Sequence, residues 1–251
     1  MTESPAIDHV VVLGGGYAGL RIAVDLAASF RRHGLSRRIS LVDRSAHHQL
    51  VTTLHRGATE ARDLASCRLP LDELLVPGTV TRREATVAEI RPERREVLLE
   101  GGEALPYERL AVALGSSPAR PEIDGLEEHG LALRRWSDAE RLRDHVRSVL
   151  RHAAALPSRE ERKSFLTLVI AGGGATGCQL AGELAHWLPS LADDHGIAVD
   201  ELELILLESG SSLLADSGAE GSRYAFETLR RKGVEVRLGA SVDRVRPGSV
   251  R

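Results

Sequence analysis

The first strongly patterned stretch is His9-Val-Val-Val-Leu13, a short apolar run of β-branched type. Such a run predicts a parallel strand buried on both faces. Gly14-Gly-Gly16 ends it, and a helical pattern follows from Tyr17 to Phe30, with Leu20, Val24 and Ala27 or Ala28 on one face. Ile39 to Val42 predicts a second strand, closed by Asp43. The same order then returns. Phe165 to Ile170 predicts a strand, Gly172-Gly-Gly174 a turn, Ala175 to Leu188 a helix, and Leu202 to Leu207 a strand closed by Glu208. A further helix, Ser222 to Lys232, stops at Gly233, a residue suited to a left-handed helix end, and Val234 to Leu238 predicts one more strand.

Between the two passages the pattern differs. Thr86 to Ile90 and Glu96 to Leu99 read as strands around a turn at Arg91 to Arg94. Leu110 to Leu114 reads as a buried strand closed by Gly115. The charged stretch from Pro118 to Lys163 holds one helix: Ser137 and Glu140 make a capping box, Leu142, Val146, Val149, Leu150 and Ala153 keep helical spacing, and Pro157 ends it. The runs Arg91–Glu96 and Arg159–Lys163 read as solvated turns. A domain boundary is expected near Pro118, dividing 1–117 from 118–251, with a linker helix near 137–155.

Composition narrows the partners. A length of 251 residues suffices for one large or two small domains. A net charge of -3 provides no basic field for nucleic acid, and 3% aromatic content argues against base-stacking surfaces. The apolar run from Val10 to Phe30 is broken by Gly14 to Gly16, Gly19, Arg21 and Asp25, which makes it a poor signal segment or membrane span. Cys67 and Cys178 are far apart, with no CxxC or CxxxxC spacing, so neither a disulfide framework nor a clustered zinc site is expected, and a reducing cytoplasm fits. Cys178 reads as a small packing residue.

The glycine turns carry the chemistry. Gly14-x-Gly16-x-x-Gly19 and Gly172-x-Gly174-x-x-Gly177 each follow a strand, open a helix and precede a strand ending in an acid. The first glycine allows the tight turn, the second lets backbone approach a pyrophosphate, and the third lets helix and strand pack closely, as do Ala23 and Ala181 one turn later. The phosphates would lie at the helix N-terminus, where free N–H groups and the helix dipole favour an anion. Asp43 and Glu208 stand where ribose hydroxyls would be accepted. A carboxylate at Glu208 would repel a 2′-phosphate and so favours NADH over NADPH, with Arg223 among the nearby bases that bear on that choice. Two dinucleotide sites in tandem imply electron transfer between two cofactors, usually nicotinamide to flavin. The expected fold class is therefore α/β: two Rossmann-like three-layer dinucleotide-binding units, the first with an added β-meander.

The residues His9 to Leu20 resemble the FAD end of the two-dinucleotide-binding-domain flavoproteins, the pyridine nucleotide-disulfide oxidoreductase-like family. Leu110 to Ser116 is similar to the segment where that FAD domain's strand crosses toward the cofactor, and Ala171 to Leu184 resembles the NADH fingerprint of type II NADH dehydrogenases. His48 to Gly57 also resembles that subgroup and stands where disulfide reductases carry CxxxxC. The resemblance implies FAD at Gly14, Gly15, Gly16, Tyr17, Ala18, Gly19, Asp43, Arg44, Val87 and Gly115, and NADH at Gly172, Gly173, Gly174, Thr176, Gly177 and Glu208. It implies hydride transfer from NADH to flavin and electron delivery to a quinone. A protein acceptor such as ferredoxin or rubredoxin is the alternative, and a non-catalytic nucleotide-binding relative is a third reading; a sulfide:quinone enzyme would need reactive cysteines. Gln179 stands where the family usually carries Glu, with Glu183 a second acid at i+4; both are candidate catalytic residues. His47, His48 and His55 match no metal motif and read as solvent-exposed or flavin-flanking. The family continues beyond the position of Arg251, so the resemblance implies an incomplete FAD unit and a missing C-terminal part that would provide peripheral membrane association at the inner face of the cell membrane. Oligomeric state stays open.

Overall fold

A computed structural model describes residues 8–116 and 122–251, and the boundary expected at Pro118 lies outside them. They form two compact units. One gathers the described residues up to Leu50 and from Arg68 to 116; the other gathers Val51–Cys67 and the residues from 122 onward.

The first unit begins with β1 (His9–Leu13), α1 (Tyr17–Arg32) and β2 (Arg38–Asp43). The short strands β3 (His47–Gln49) and β4 (Arg68–Pro70) pair antiparallel. Then come β5 (Thr81–Glu84), the meander β6 (Val87–Arg91), β7 (Glu96–Leu99) and β8 (Ala104–Pro106), and finally β9 (Arg109–Val112). The parallel sheet runs β5-β2-β1-β9. β1 lies inside this sheet, which is why all five of its residues are buried. Its side chains alternate between two cores. Val10 and Val12 pack with Ala23 and Ala27 of α1; Val11 and Leu13 pack with Val97, Leu99 and Leu105 of the meander. The three layers are thus α1, the parallel sheet and the meander. Buried His9 ties the sheet to the meander: Nδ1–H donates to the Pro106 carbonyl at 2.8 Å, and Nε2 accepts from the Ser40 hydroxyl of the neighbouring strand at 2.9 Å. Burial lowers the His9 pKa more than the Pro106 bond raises it, which favours the neutral ring this pairing needs. β9 stops at Val112, earlier than the run to Leu114 suggests, because Leu114 is 57% exposed, past the last strand pairing.

In the second unit a short helix, Leu54–Ala58, precedes α2 (Trp136–Ala154), α3 (Arg159–Leu166), β10 (Thr167–Ala171), α4 (Ala175–Asp193), β11 (Glu203–Glu208), α5 (Gly218–Arg231) and β12 (Glu235–Leu238). The sheet β10-β11-β12 is parallel. One core holds Leu54 and Ala58, Leu142, Val146 and Leu150 of α2, and Ala181, Leu184 and Leu188 of α4. The buried thiol of Cys67 lies where a Cβ on Gly57 would meet it, at 2.9 Å, so glycine at that helix position admits it.

Several expected boundaries move. Arg159–Lys163 is helical, not a solvated turn. Ser158 and Glu161 make a reciprocal capping box, while Arg162 forks onto Glu201 at 2.8 and 3.1 Å. That helix takes Phe165 and Leu166 from the expected strand, which begins at Thr167. Another short helix, Leu126–His129, stands in the stretch where a single helix is expected. α4 continues past Leu188 through Pro189 to Asp193, held by buried Leu191 and Ala192 despite the lost backbone donor. α5 starts at Gly218 rather than Ser222.

The start of α2 also differs. Ser137 and Glu140 lie inside the helix, and Asp138 makes the cap: its carboxylate accepts from the N–H groups of Arg134 at 3.0 Å and Arg135 at 2.9 Å, and from Arg141 at 2.7 Å. Burial pushes the Asp138 pKa up, but the Arg141 guanidinium and the two N–H groups together hold it below the usual value. A depressed carboxylate contributes stability that is full above its unfolded pKa and lost as pH falls through the folded one. Asp138→Asn should therefore cost ~0.5–2 kcal/mol near neutral pH, and the gap from wild type should close in acid. Urea melts of both proteins across pH check this; a gap constant into acid would remove the ionised cap from the account.

Candidate functional site

The two glycine turns superpose in their hydrogen bonding, residue for residue. The first glycine donates to the carbonyl of the residue before the strand-end acid: Gly14 to Val42 at 2.7 Å, Gly172 to Leu207 at 2.8 Å. Both glycines have positive φ, +99° and +108°, a region closed to most side chains. The second glycine donates to the acid itself: Gly15 to Asp43 Oδ2 and Gly173 to Glu208 Oε2, both at 2.6 Å. The acid's other oxygen accepts from the N–H two residues on, Ser45 at 2.7 Å and Gly210 at 2.6 Å. The third glycine caps the helix in extended conformation: Gly16 accepts from Leu20 N–H, and Gly174 from Cys178 N–H, both at 3.0 Å. A Cβ on Gly19 would run into the Gly14 carbonyl oxygen, and one on Gly177 into that of Gly172.

The space in front of these turns is open. A Cβ on Gly16 or Gly174 would meet no atom within 4 Å. Neither α1 nor α4 has a side-chain cap hydrogen bond at its N-cap or an acidic residue in its first turn. An anionic pyrophosphate fits both places, with Asp43 and Glu208 keeping further lone pairs for ribose hydroxyls. The hydrogen bonds from Gly210 and Gly173 hold the Glu208 pKa below the carboxylate range, so it is ionised at neutral pH. A cavity of about 500 Å³ opens where the loop after Glu208 meets α5, lined by Ser212, Leu213, Gly218, Arg223 and Phe226.

The other expected residues fall around these turns or away from them. Tyr17 and Ala18 start α1, exposed, and Arg44 is exposed just after Asp43. Val87 opens β6, half-buried, and Gly115 follows β9 with φ +79°. Thr176 is exposed in the first turn of α4. Gln179 is exposed, and Glu183, one turn on, is half-buried with Arg56 Nε at 3.9 Å. Cys178 donates to the Gly173 carbonyl at 3.2 Å, and burial beside Glu208 pushes its thiol pKa up, which disfavours the thiolate. Both cysteines are free and buried.

Solvent exposure does not hold for two of the histidines. His48 is 4% and His55 9% exposed, because β3 is pinned to β4 and the Leu54–Ala58 helix enters the second unit's core. Burial lowers the His55 pKa, against the raising influence of Glu183. Among the described residues no three His, Cys, Asp or Glu side chains gather for a metal ion. Sequence reasoning misses what backs each turn. Leu71 lies under Gly15 and Leu213 under Gly173, 2.8 and 2.5 Å from where a Cβ would stand. Their placement follows from chain return after the strand-end acid, for which the only local signal is a single leucine, at the start of a short helix for Leu71 and in a loop for Leu213.

A family description, pyridine nucleotide-disulphide oxidoreductase, matches residues 8–250. The chain belongs to the pyridine nucleotide-disulphide oxidoreductase family. Within it, the chain is similar to an NADH dehydrogenase-like protein of Mycobacterium tuberculosis, 30% identical over 250 residues, which cover 96% of this chain and 58% of that one. It is 25% identical over 233 residues to a type II NADH:quinone oxidoreductase of Staphylococcus aureus, covering 93% of this chain and 57% of the relative. The chain thus spans less than two thirds of these relatives. In fold it is similar to NDH2 from Plasmodium falciparum, solved in complex with NADH, with a TM-score of 0.83 at 17% identity, covering 96% of this chain and 50% of that one. The α/β class with Rossmann-type units is that of this oxidoreductase family.

Proposed function

We propose that this chain is the FAD- and NADH-binding part of an NADH:quinone oxidoreductase. The observation that carries the reading is the duplicated turn, in which an open helix start and a strand-end carboxylate recur with the same hydrogen bonds. FAD is assigned to Gly14, Gly15, Gly16, Tyr17, Ala18, Gly19, Asp43 and Arg44, with Val87 and Gly115 beside it. NADH is assigned to Gly172, Gly173, Gly174, Thr176, Gly177 and Glu208. The flavin supplies hydride acceptance and onward electron delivery. The chain's residues supply anchorage and orientation, which is most of what a hydride step asks of a protein. Gln179 cannot ionise and could act only through hydrogen bonds; Glu183, charge-paired with Arg56, is the ionisable group on the same helix face.

Quinone is the assigned acceptor because the named relatives include quinone oxidoreductases. Among the described residues no helix is long and apolar enough to cross a membrane. The quinone assignment itself, a lipid-soluble acceptor, is what motivates a peripheral association with the inner face of the cell membrane. Steady-state assays of the FAD-loaded protein test the reading: NADH oxidation should require a quinone and yield quinol in equal amount. Oxidation supported by ferredoxin and not by any quinone would overturn the acceptor assignment.

A further inference from the structure

The carbonyl of the middle glycine is held in both turns, by different groups. In the second unit the Gly173 carbonyl accepts from the backbone N–H of Leu214, at 2.9 Å, six positions after Glu208. Leu214 adopts a left-handed φ of +47° there. In the first unit the Gly15 carbonyl accepts from a side chain, His48 Nδ1, at 2.9 Å, five positions after Asp43. A carbonyl only accepts, so this nitrogen carries the proton. The His48 ring is buried and meets the Tyr17 ring edge-on, with centroids 4.7 Å apart and planes at 86°.

We infer that His48 is a positioning residue for the flavin pyrophosphate: with Asp43 it fixes the Gly15–Gly16 peptide so that the Gly16 N–H faces the open side of the turn. Gly15 is pinned at its N–H by Asp43 and at its carbonyl by His48. Carbonyl and N–H of one trans peptide point to opposite sides of the chain. Holding the Gly15 carbonyl by His48 therefore turns the Gly16 N–H to the opposite side of that peptide, and the space in front of the Gly16 Cα is open among the described residues. Flexible glycines would otherwise sample other orientations and bind an anion less well. The second turn gains the same restraint chiefly from the Leu214 backbone N–H, with the Cys178 thiol a weaker second donor to the same carbonyl.

This inference rests on the reading of the first turn as the flavin site. Its test is FAD affinity, by equilibrium dialysis of the full chain, for wild type, His48→Phe and His48→Asn. Phenylalanine keeps a ring beside Tyr17 and removes the donor; asparagine places an amide N–H near Nδ1. Removing one such bond should weaken FAD about five-fold or more in His48→Phe, with His48→Asn within about two-fold of wild type. ADP-ribose binding measured at saturating FAD, which leaves only the second unit's turn to occupy, should keep its affinity in both variants, and its stoichiometry reports the folded fraction. If the phenyl ring prevents folding, His48→Ala takes its place in the comparison. FAD affinity equal in wild type and His48→Phe, or equally weakened in both variants, would overturn the clamp and leave the flavin reading standing. Wild type that binds ADP-ribose but no FAD would overturn the flavin reading and the clamp with it.

Discussion

Replacing Gly16 by alanine should leave the protein as stable as wild type and yet weaken FAD binding by about 10- to 100-fold, the ~1–3 kcal/mol that forcing atoms into an occupied space costs. Gly16 has φ -71° and ψ -171°, extended backbone that alanine adopts freely, and its Cβ would touch no protein atom. The poorer helix-capping preference of alanine is opposed by its lower unfolded-state entropy, so the net effect on folding is small. Among the described residues nothing stands in the way of the new methyl group, so the expected obstruction is to a ligand brought against the turn. Gly19→Ala should behave differently. Its Cβ would collide with the Gly14 carbonyl, both partners are backbone, and α1 must move off the turn, so stability and FAD affinity fall together. Gly174→Ala and Gly177→Ala repeat the contrast for NADH. Thermal melts beside FAD and ADP-ribose affinities for the four variants check it. A Gly16→Ala protein that keeps full FAD affinity would remove the pyrophosphate from this turn.

Glu208→Ala should reverse nucleotide preference, with a change of about 10- to 100-fold in the ratio of affinities for ADP-ribose and its 2′-phosphate, from the loss of hydrogen bonds to a charged group worth ~1.5–3 kcal/mol. The carboxylate is fixed by Gly173 and Gly210 at 2.6 Å and by Ser209 at 3.2 Å, so it cannot swing away from an incoming phosphate. Removing it deletes the repulsion and leaves Arg223, in the neighbouring cavity, as an attractive partner for the added phosphate. The same bonds keep the Glu208 pKa depressed, so wild-type discrimination should persist as pH falls from neutral and fade only when pH passes below the usual carboxylate range. Calorimetric titration of both ligands across pH measures this. A wild type indifferent to the 2′-phosphate would detach Glu208 from nucleotide choice.

The strand–turn–helix–strand order of both units is legible because it is local. Val10–Leu13 is apolar throughout since β1 is covered on both faces and both edges, and the glycines mark where backbone must pass close to backbone. Legibility ends where contacts are distant. An apolar run does not tell the end of a helix from the start of a strand, so Phe165 and Leu166 read as β although the Ser158 cap makes them the last turn of α3. Ser137 and Glu140 have the spacing of a capping box, but Asp138 reaches back to Arg134 and Arg135 and starts α2 earlier. His47 and His48 look alike in sequence; only the pairing of His48 with Leu69 turns one of them onto the Gly15 carbonyl. Leu214 takes a left-handed φ, which no β-neutral aliphatic residue announces. The packing of Val51–Cys67 with the second unit likewise depends on Trp136, whose indole N–H donates to the Leu64 carbonyl at 2.7 Å, across 72 positions of sequence.

The most direct test of a paired flavin and nicotinamide site is an anaerobic titration of the FAD-loaded protein with NADH, followed by its visible spectrum. Stepwise bleaching of the oxidised flavin band, complete near one equivalent of NADH per bound flavin in wild type and slower in Gly174→Ala at the same NADH concentration, is the result predicted here. A flavin band that stays oxidised while NADH is shown to be bound would contradict hydride transfer between the two sites.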